Sequence, residues 1–199
     1  IEPEIVWFYT DVHYILRHRW NRVYKNVAMI TIKENFLPQD LIEKVAEHIR
    51  NKIQDNEFCW STSHSVDQIV HEGMNSFQMT PIDEFNDQLK QMILEVDPRL
   101  KDYTFKSYVY LWNRNTMLDW HDDAGYGASA TIYLNQDWSF TDGGLFVYRD
   151  LGKTIAEEPT FNKMILINKM DKPIMHGVTS ITPWAKQTRV TIQVRATNV

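Results

Sequence analysis

Apolar positions recur every three or four residues in the first half of the chain and alternate over shorter runs in the second. Leu41, Ile42, Val45, Ile49 and Ile53 share one face at helical spacing, which predicts a helix over 39–54. Pro38 suits its entry, where a missing N–H costs nothing. Phe85, Leu89, Met92, Ile93 and Val96 give a second apolar stripe and predict a helix over 81–96. Thr80 reads as its N-cap, Pro81 as its first residue and Asp83 as a charge near the positive dipole end. Asp97-Pro98 then ends it. Val27–Ile32 reads as a short strand. Residues 1–25 are rich in aromatic and basic groups without clear periodicity, and they suit a subunit contact or a wrap around the domain.

Beyond residue 102 the runs shorten to strand length. The pattern predicts strands over 104–112, 128–135, 144–149, 162–168, 173–179 and 187–195. Turn signals separate them: Asp122–Gly125, Asn135–Asp137, Asp142–Gly144, Asp171–Pro173 and Thr182-Pro183. Many short strands at this spacing indicate a sandwich or barrel, with the leading helices on one outer face. The chain shows no repeat, linker or low-complexity tract. The expectation is one domain over 1–199, with residues 1–100 as mostly helical support and 101–199 as the β core.

The 199 residues are 43% hydrophobic and 24% charged, an ordinary globular composition that excludes wholesale disorder. A formal net charge of −5 argues against a nucleic-acid partner, which usually needs a basic face. No apolar run is long enough to predict a membrane span. The single cysteine, Cys59, excludes an intrachain disulfide framework. With no secretory signal pattern in the sequence given, it favours the cytoplasm.

One constellation carries chemistry. His121 and Asp123 are separated by one residue, and in an extended segment such positions point to the same side. His176 lies 53 residues beyond Asp123, on a strand that a double sheet can bring alongside. Two imidazoles and one carboxylate form a facial triad that leaves open positions on an octahedral Fe(II). Arg189 follows His176 by 13 residues, on the last strand, where a guanidinium can clamp a dicarboxylate. Arg189, Thr191 and Gln193 share one face of that strand, and Val190, Ile192 and Val194 share the other.

The ordered set Trp120-His121-Asp122-Asp123, Ala130–Asn135, Asp142–Phe146, His176-Gly177-Val178 and Arg189-Val190-Thr191 resembles the Fe(II)/2-oxoglutarate-dependent dioxygenases, in particular their prolyl-4-hydroxylase-like branch. The resemblance covers roughly residues 104–195 and includes the Phe36-Leu37-Pro38 helix entry. It implies a mainly β, α+β fold: a double-stranded β-helix, or jelly roll, with N-terminal helices packed outside. It implies Fe(II) held by His121, Asp123 and His176, with 2-oxoglutarate and O2 as cosubstrates. Arg189, assisted by Thr191 and Tyr133, would take the far carboxylate of 2-oxoglutarate. A tyrosine common in the branch is replaced here by Trp112, with Tyr110 two residues earlier on the same face; either is a candidate for the pocket. Many collagen-type members carry Lys where this chain has Arg189. The carboxylate of Asp123 occupies the place that related halogenases leave to chloride, so hydroxylation is expected.

Bland readings stand beside these. Any one of the three metal candidates taken alone is more often a satisfied polar residue. Asp122 reads as a turn residue, Gly143-Gly144 as a backbone device, and Trp138 and Trp184 as packing. Arg149 is by default a solvated charge, and near the mouth it is a candidate for gripping an acidic substrate group. Ser61–Asn75, with His64 and His71, reads as a loop that could serve as a lid. The expected substrate is an amino acid, a peptide or a small metabolite. The rivals are a non-catalytic jelly-roll binding module and a cupin-like metal isomerase or hydrolase.

Overall fold

The computed structural model describes residues 30–62, 76–123, 125–150, 152–168 and 174–198. Residues 1–25, most of the expected lid and the Asp171–Pro173 turn lie outside them. The elements in chain order are β1 (Ile30–Lys33), α1 (Gln39–Gln54), β2 (Cys59–Thr62), β3 (Ser76–Pro81), α2 (Asn86–Val96), β4 (Thr104–Trp112) and β5 (Leu118–His121). There follow β6 (Ala128–Tyr133), β7 (Phe146–Asp150), β8 (Lys153–Glu157), β9 (Met164–Asn168), β10 (His176–Val178) and β11 (Arg189–Thr197). A major sheet runs in the order β1-β9-β6-β11-β4-β3-β2 and a minor sheet in the order β5-β10-β7-β8. Every strand pairing within them is antiparallel.

Alternation along β11 decides which way the major sheet faces. Ile192, Val194 and Ala196 are buried and join one apolar cluster with Val109, Ala130, Ile132 and Leu166 of neighbouring strands. The stripes of both helices belong to the same cluster, through Leu41, Val45 and Ile49 of α1 and Leu89 and Ile93 of α2. Each large aliphatic side chain so removed from water contributes about 1.5–3 kcal/mol. The opposite face of β11, carrying Arg189, Thr191, Gln193 and Arg195, is therefore left for chemistry.

The helix over 39–54 has the predicted bounds. The second helix does not. It begins at Asn86, and Thr80 and Pro81 belong to β3, opposite Val109 and Tyr108 of β4. Pro81 lies past Met79, the last residue of β3 paired with β2, so its missing N–H removes no rung on that side. Among the described residues of the first hundred, β1, β2 and β3 accompany the two helices and extend the major sheet. All six strands expected after residue 102 are present, β4 with the expected bounds and the other five with shifted ends, and β5 and β8 are additional. Among the described residues, no helix is long and apolar enough to cross a membrane.

Candidate metal centre

β5 and β10 lie side by side with His121 opposite His176, their ring centroids 4.3 Å apart. Nδ1 of His121 lies 2.7 Å from the Asp119 carbonyl oxygen, and Nδ1 of His176 lies 2.9 Å from that of Ile174. A carbonyl only accepts, so each Nδ1 donates its proton there, and each Nε2 turns toward the same point.

Asp123 completes the group by a route that simple alternation misses. β5 ends at His121, and Asp123 takes a left-handed conformation with φ 53°. Aspartate tolerates that region better than most residues. The tight turn, rather than an extended i, i+2 arrangement, brings its carboxylate back over the imidazoles. Oδ1 lies 3.4 Å from Nε2 of His121, and Oδ2 lies 3.3 Å from Nε2 of His176. Ser129 of β6 donates to Oδ2 at 2.7 Å. One ligand atom from each of the three residues falls within 4.8 Å of the others.

The donor chemistry fits a divalent cation. With both Nδ1 protons given to carbonyls, neutral imidazoles would press two nitrogen lone pairs against a carboxylate, and a cation at the shared point removes that conflict. Without a cation the two rings must be protonated to donate to Asp123, and in that state their hydrogen bonds overcome the burial that raises its carboxyl and hold it well below the usual carboxylate range. Burial lowers the His121 imidazole, and its contacts with Asp123 and Asp119 more than offset that, leaving it raised.

The three residues open into a cavity of about 360 Å³ between the two sheets. Its walls come from β5, β7 and β10 on one side and from β3, β4, β6, β9 and β11 on the other. Arg189 lies in this wall only 1% exposed, with no hydrogen-bond partner for any of its guanidinium nitrogens among the described residues. Its Cζ is 5.1 Å from the ring centroids of both Trp112 and Tyr133. Burial lowers the Arg189 guanidinium from its ordinary value, opposed by the Tyr133 phenol. Burial likewise pushes the Tyr133 hydroxyl up to about 12, and that hydroxyl too has no hydrogen-bond partner among the described residues. Orphaned buried donors of this kind are rare and point to a bound acceptor. Asn135 fixes the start of β11, accepting from Val190 N at 2.6 Å and donating to the Thr188 carbonyl at 2.8 Å.

The other predicted site residues are distributed unevenly. Trp112 and Tyr110 both line the cavity, with ring centroids 5.9 Å apart: Trp112 packs against Arg189, and Tyr110 meets Arg195. Thr191 is fully buried, accepts from the Trp112 indole N–H at 3.0 Å and does not reach the cavity wall. Tyr133 also stands behind the wall rather than in it. Arg149 is exposed at the side of Trp120 and does not line the cavity. Phe77 and Met79 line it from β3, and Ser129 and Arg195 were also passed over. Arg195 could have been found by carrying the alternation of β11 one step past Gln193. Phe77 and Met79 could not, because residues 76–79 were assigned to no element and Thr80-Pro81 was read as a helix entry.

No protein-family model matches the sequence, and no curated protein matches it at a significant level. Solved structures do share its fold. A prolyl-4-hydroxylase of Pseudomonas putida superposes with a TM-score of 0.68 at 21% identity, covering 85% of this chain and 92% of that one. A Trichoplax adhaerens prolyl hydroxylase, solved with a hypoxia inducible factor peptide fragment, gives 0.67 at 18% identity over 98% of this chain and 94% of that one. A 2OG-Fe(II) oxygenase-family oxidoreductase of Burkholderia pseudomallei gives 0.58 at 13% identity over 94% and 90%. The chain therefore has the fold of the prolyl-4-hydroxylase-like 2-oxoglutarate oxygenases.

Proposed function

We propose that this protein is an Fe(II)/2-oxoglutarate-dependent dioxygenase that hydroxylates an unactivated C–H bond of an amino acid, peptide or small metabolite. The observation that carries the reading is one cavity holding both a two-histidine, one-carboxylate donor set and a buried guanidinium without a partner. His121, Asp123 and His176 would hold the metal, and the jelly-roll scaffold suggested by the fold neighbours would place it between the sheets. Bound Fe(II) supplies the activation of O2, coupled to decarboxylation of 2-oxoglutarate to succinate and CO2.

The protein's own residues orient and shield. The carbonyls of Asp119 and Ile174 fix the imidazole tautomers, so both Nε2 atoms stay free to ligate. Ser129 holds the Asp123 carboxylate in place. Arg189 pairs with the far carboxylate of the cosubstrate, with the Tyr133 ring packed against the guanidinium from behind, and the ion pair offsets a desolvation cost of several kcal/mol for the lone guanidinium. Trp112, tethered to Thr191, covers the guanidinium face and excludes water from it. Phe77 stacks on Tyr110 and packs at a tilt against Trp112, with ring centroids at 4.5 and 4.8 Å, and closes the aromatic wall.

Succinate release from 2-oxoglutarate under air tests the reading. It should require added Fe(II) and disappear in Asp123→Ala. Undiminished release in that variant would refute the ligand assignment, and turnover without oxygen would favour an isomerase or hydrolase.

A further inference from the structure

The cavity holds a second guanidinium that cosubstrate binding does not use. Arg195 lies on the same face of β11 as Arg189, six residues on, so their Cα atoms stand roughly 20 Å apart at about 3.3 Å per residue. Both cations line the one cavity, from near opposite ends of β11. The register places Arg195 opposite Ser129, the residue that holds the Asp123 carboxylate, so this end is the metal's side.

Arg195 is built into place. Its Nη1 donates to the Tyr126 hydroxyl at 2.8 Å and its Nη2 to the Tyr110 hydroxyl at 2.6 Å. The rings of Tyr108, Tyr110 and Tyr126 surround its Cζ, with centroids at 5.7, 5.9 and 4.8 Å. These contacts lock the fork yet leave further N–H donors on it. No carboxylate pairs with it among the described residues. Tyr110, whose hydroxyl burial pushes up to about 12, keeps its own proton to donate.

The charge balance of the loaded cavity supplies the argument. A divalent metal and Arg189 are matched by Asp123 and the two carboxylates of 2-oxoglutarate. Arg195 then remains as one uncompensated positive charge in a partly desolvated cleft, beside the metal. A locked planar fork with a neighbouring phenol donor suits a carboxylate, which takes two parallel N–H bonds. We propose that Arg195 anchors the substrate and that the substrate carries a carboxylate, either the α-carboxylate of an amino acid or chain end, or an acidic side chain. This rests on the dioxygenase reading above.

The test uses the anaerobic protein with Fe(II) and 2-oxoglutarate, whose charge-transfer absorbance reports formation of that complex. Three probe sets are titrated in: N-acetyl amino acids with a free carboxylate, the matching amides, and doubly capped peptides containing one Asp or Glu. The expected result is binding, read by calorimetry and by a change in the band, at least tenfold tighter for acids than for the matching amides. Comparing the first and third sets separates the two carboxylate sources. Arg195→Gln should erase the acid preference, Arg195→Lys should restore part of it, and circular dichroism confirms that both variants are folded. Equal binding of acids and amides, no binding of any acid, or a preference that survives Arg195→Gln overturns the proposal while the absorbance band stands. Absence of the band removes the dioxygenase reading and the proposal with it.

Discussion

At the residue scale, Arg189 makes an opposed pair of predictions. A buried guanidinium without a partner destabilises the ligand-free fold, because its desolvation goes uncompensated. Arg189→Met keeps much of the aliphatic volume and removes the charge. The ligand-free variant should therefore melt at or above the wild-type temperature, measured by scanning calorimetry. Its 2-oxoglutarate affinity, measured by titration calorimetry, should fall by about 2–5 kcal/mol, the usual loss for one partner of a buried charge pair. A variant that melts well below wild type would show that the guanidinium serves the scaffold instead. Arg189 was legible in the sequence because strand parity and its spacing from His176 both pointed to it. Asp123 was legible in identity but not in geometry, since its left-handed turn leaves no mark in an alternation pattern.

At the scale of elements, the Gly143-Gly144 turn carries a graded prediction. Both glycines have positive φ, 73° and 66°. A Cβ at Gly143 would stand 2.1 Å from the Ser180 backbone carbonyl oxygen, whereas one at Gly144 would stand 3.0 Å from the Cδ of Arg189. Backbone cannot yield as a side chain can. Gly143→Ala should therefore lower the melting temperature clearly more than Gly144→Ala, while Gly144→Ala should weaken 2-oxoglutarate binding by displacing Arg189. A reversed order of stabilities would contradict the packing. The corner after α2 gives a further test. Asp97 accepts from Arg99 Nε and Nη2 at 2.8 and 2.7 Å and from Asn168 at 2.5 Å. The Arg99 bonds lead, and with Asn168 they outweigh burial and hold the carboxyl below its ordinary value. A depressed folded-state pKa stabilises above the unfolded value, near 3.9, and that gain is lost as pH falls through the folded value. Asp97→Ala should cost about 1–3 kcal/mol at neutral pH. The gap from wild type, followed by urea denaturation, should narrow as pH falls below about 4. Elements with one apolar stripe, α1 above all, were readable from spacing. β8 was not, because an edge strand of Lys153–Glu157 is largely exposed and has no apolar face to alternate.

At the scale of the whole molecule, the site divides between the two sheets, and this division has a thermodynamic consequence. The donors of His121, Asp123 and His176 belong to the minor sheet and its β5 turn, and Arg189 belongs to the major sheet. Metal alone would engage chiefly the minor side, and 2-oxoglutarate alone only the guanidinium. Metal and cosubstrate together span the cavity and join the sheets. Ligand at 100 times its dissociation constant stabilises by about 2.7 kcal/mol, worth roughly 2–4 °C per kcal/mol in a chain of this size. Thermal unfolding in the absence of oxygen should thus show a shift with metal plus 2-oxoglutarate that exceeds the sum of the two separate shifts. Chelation by EDTA should remove the excess and leave only the cosubstrate's own increment. Strictly additive shifts would mean that the two ligands do not meet. Arg189 would then anchor something other than a molecule bound to the metal.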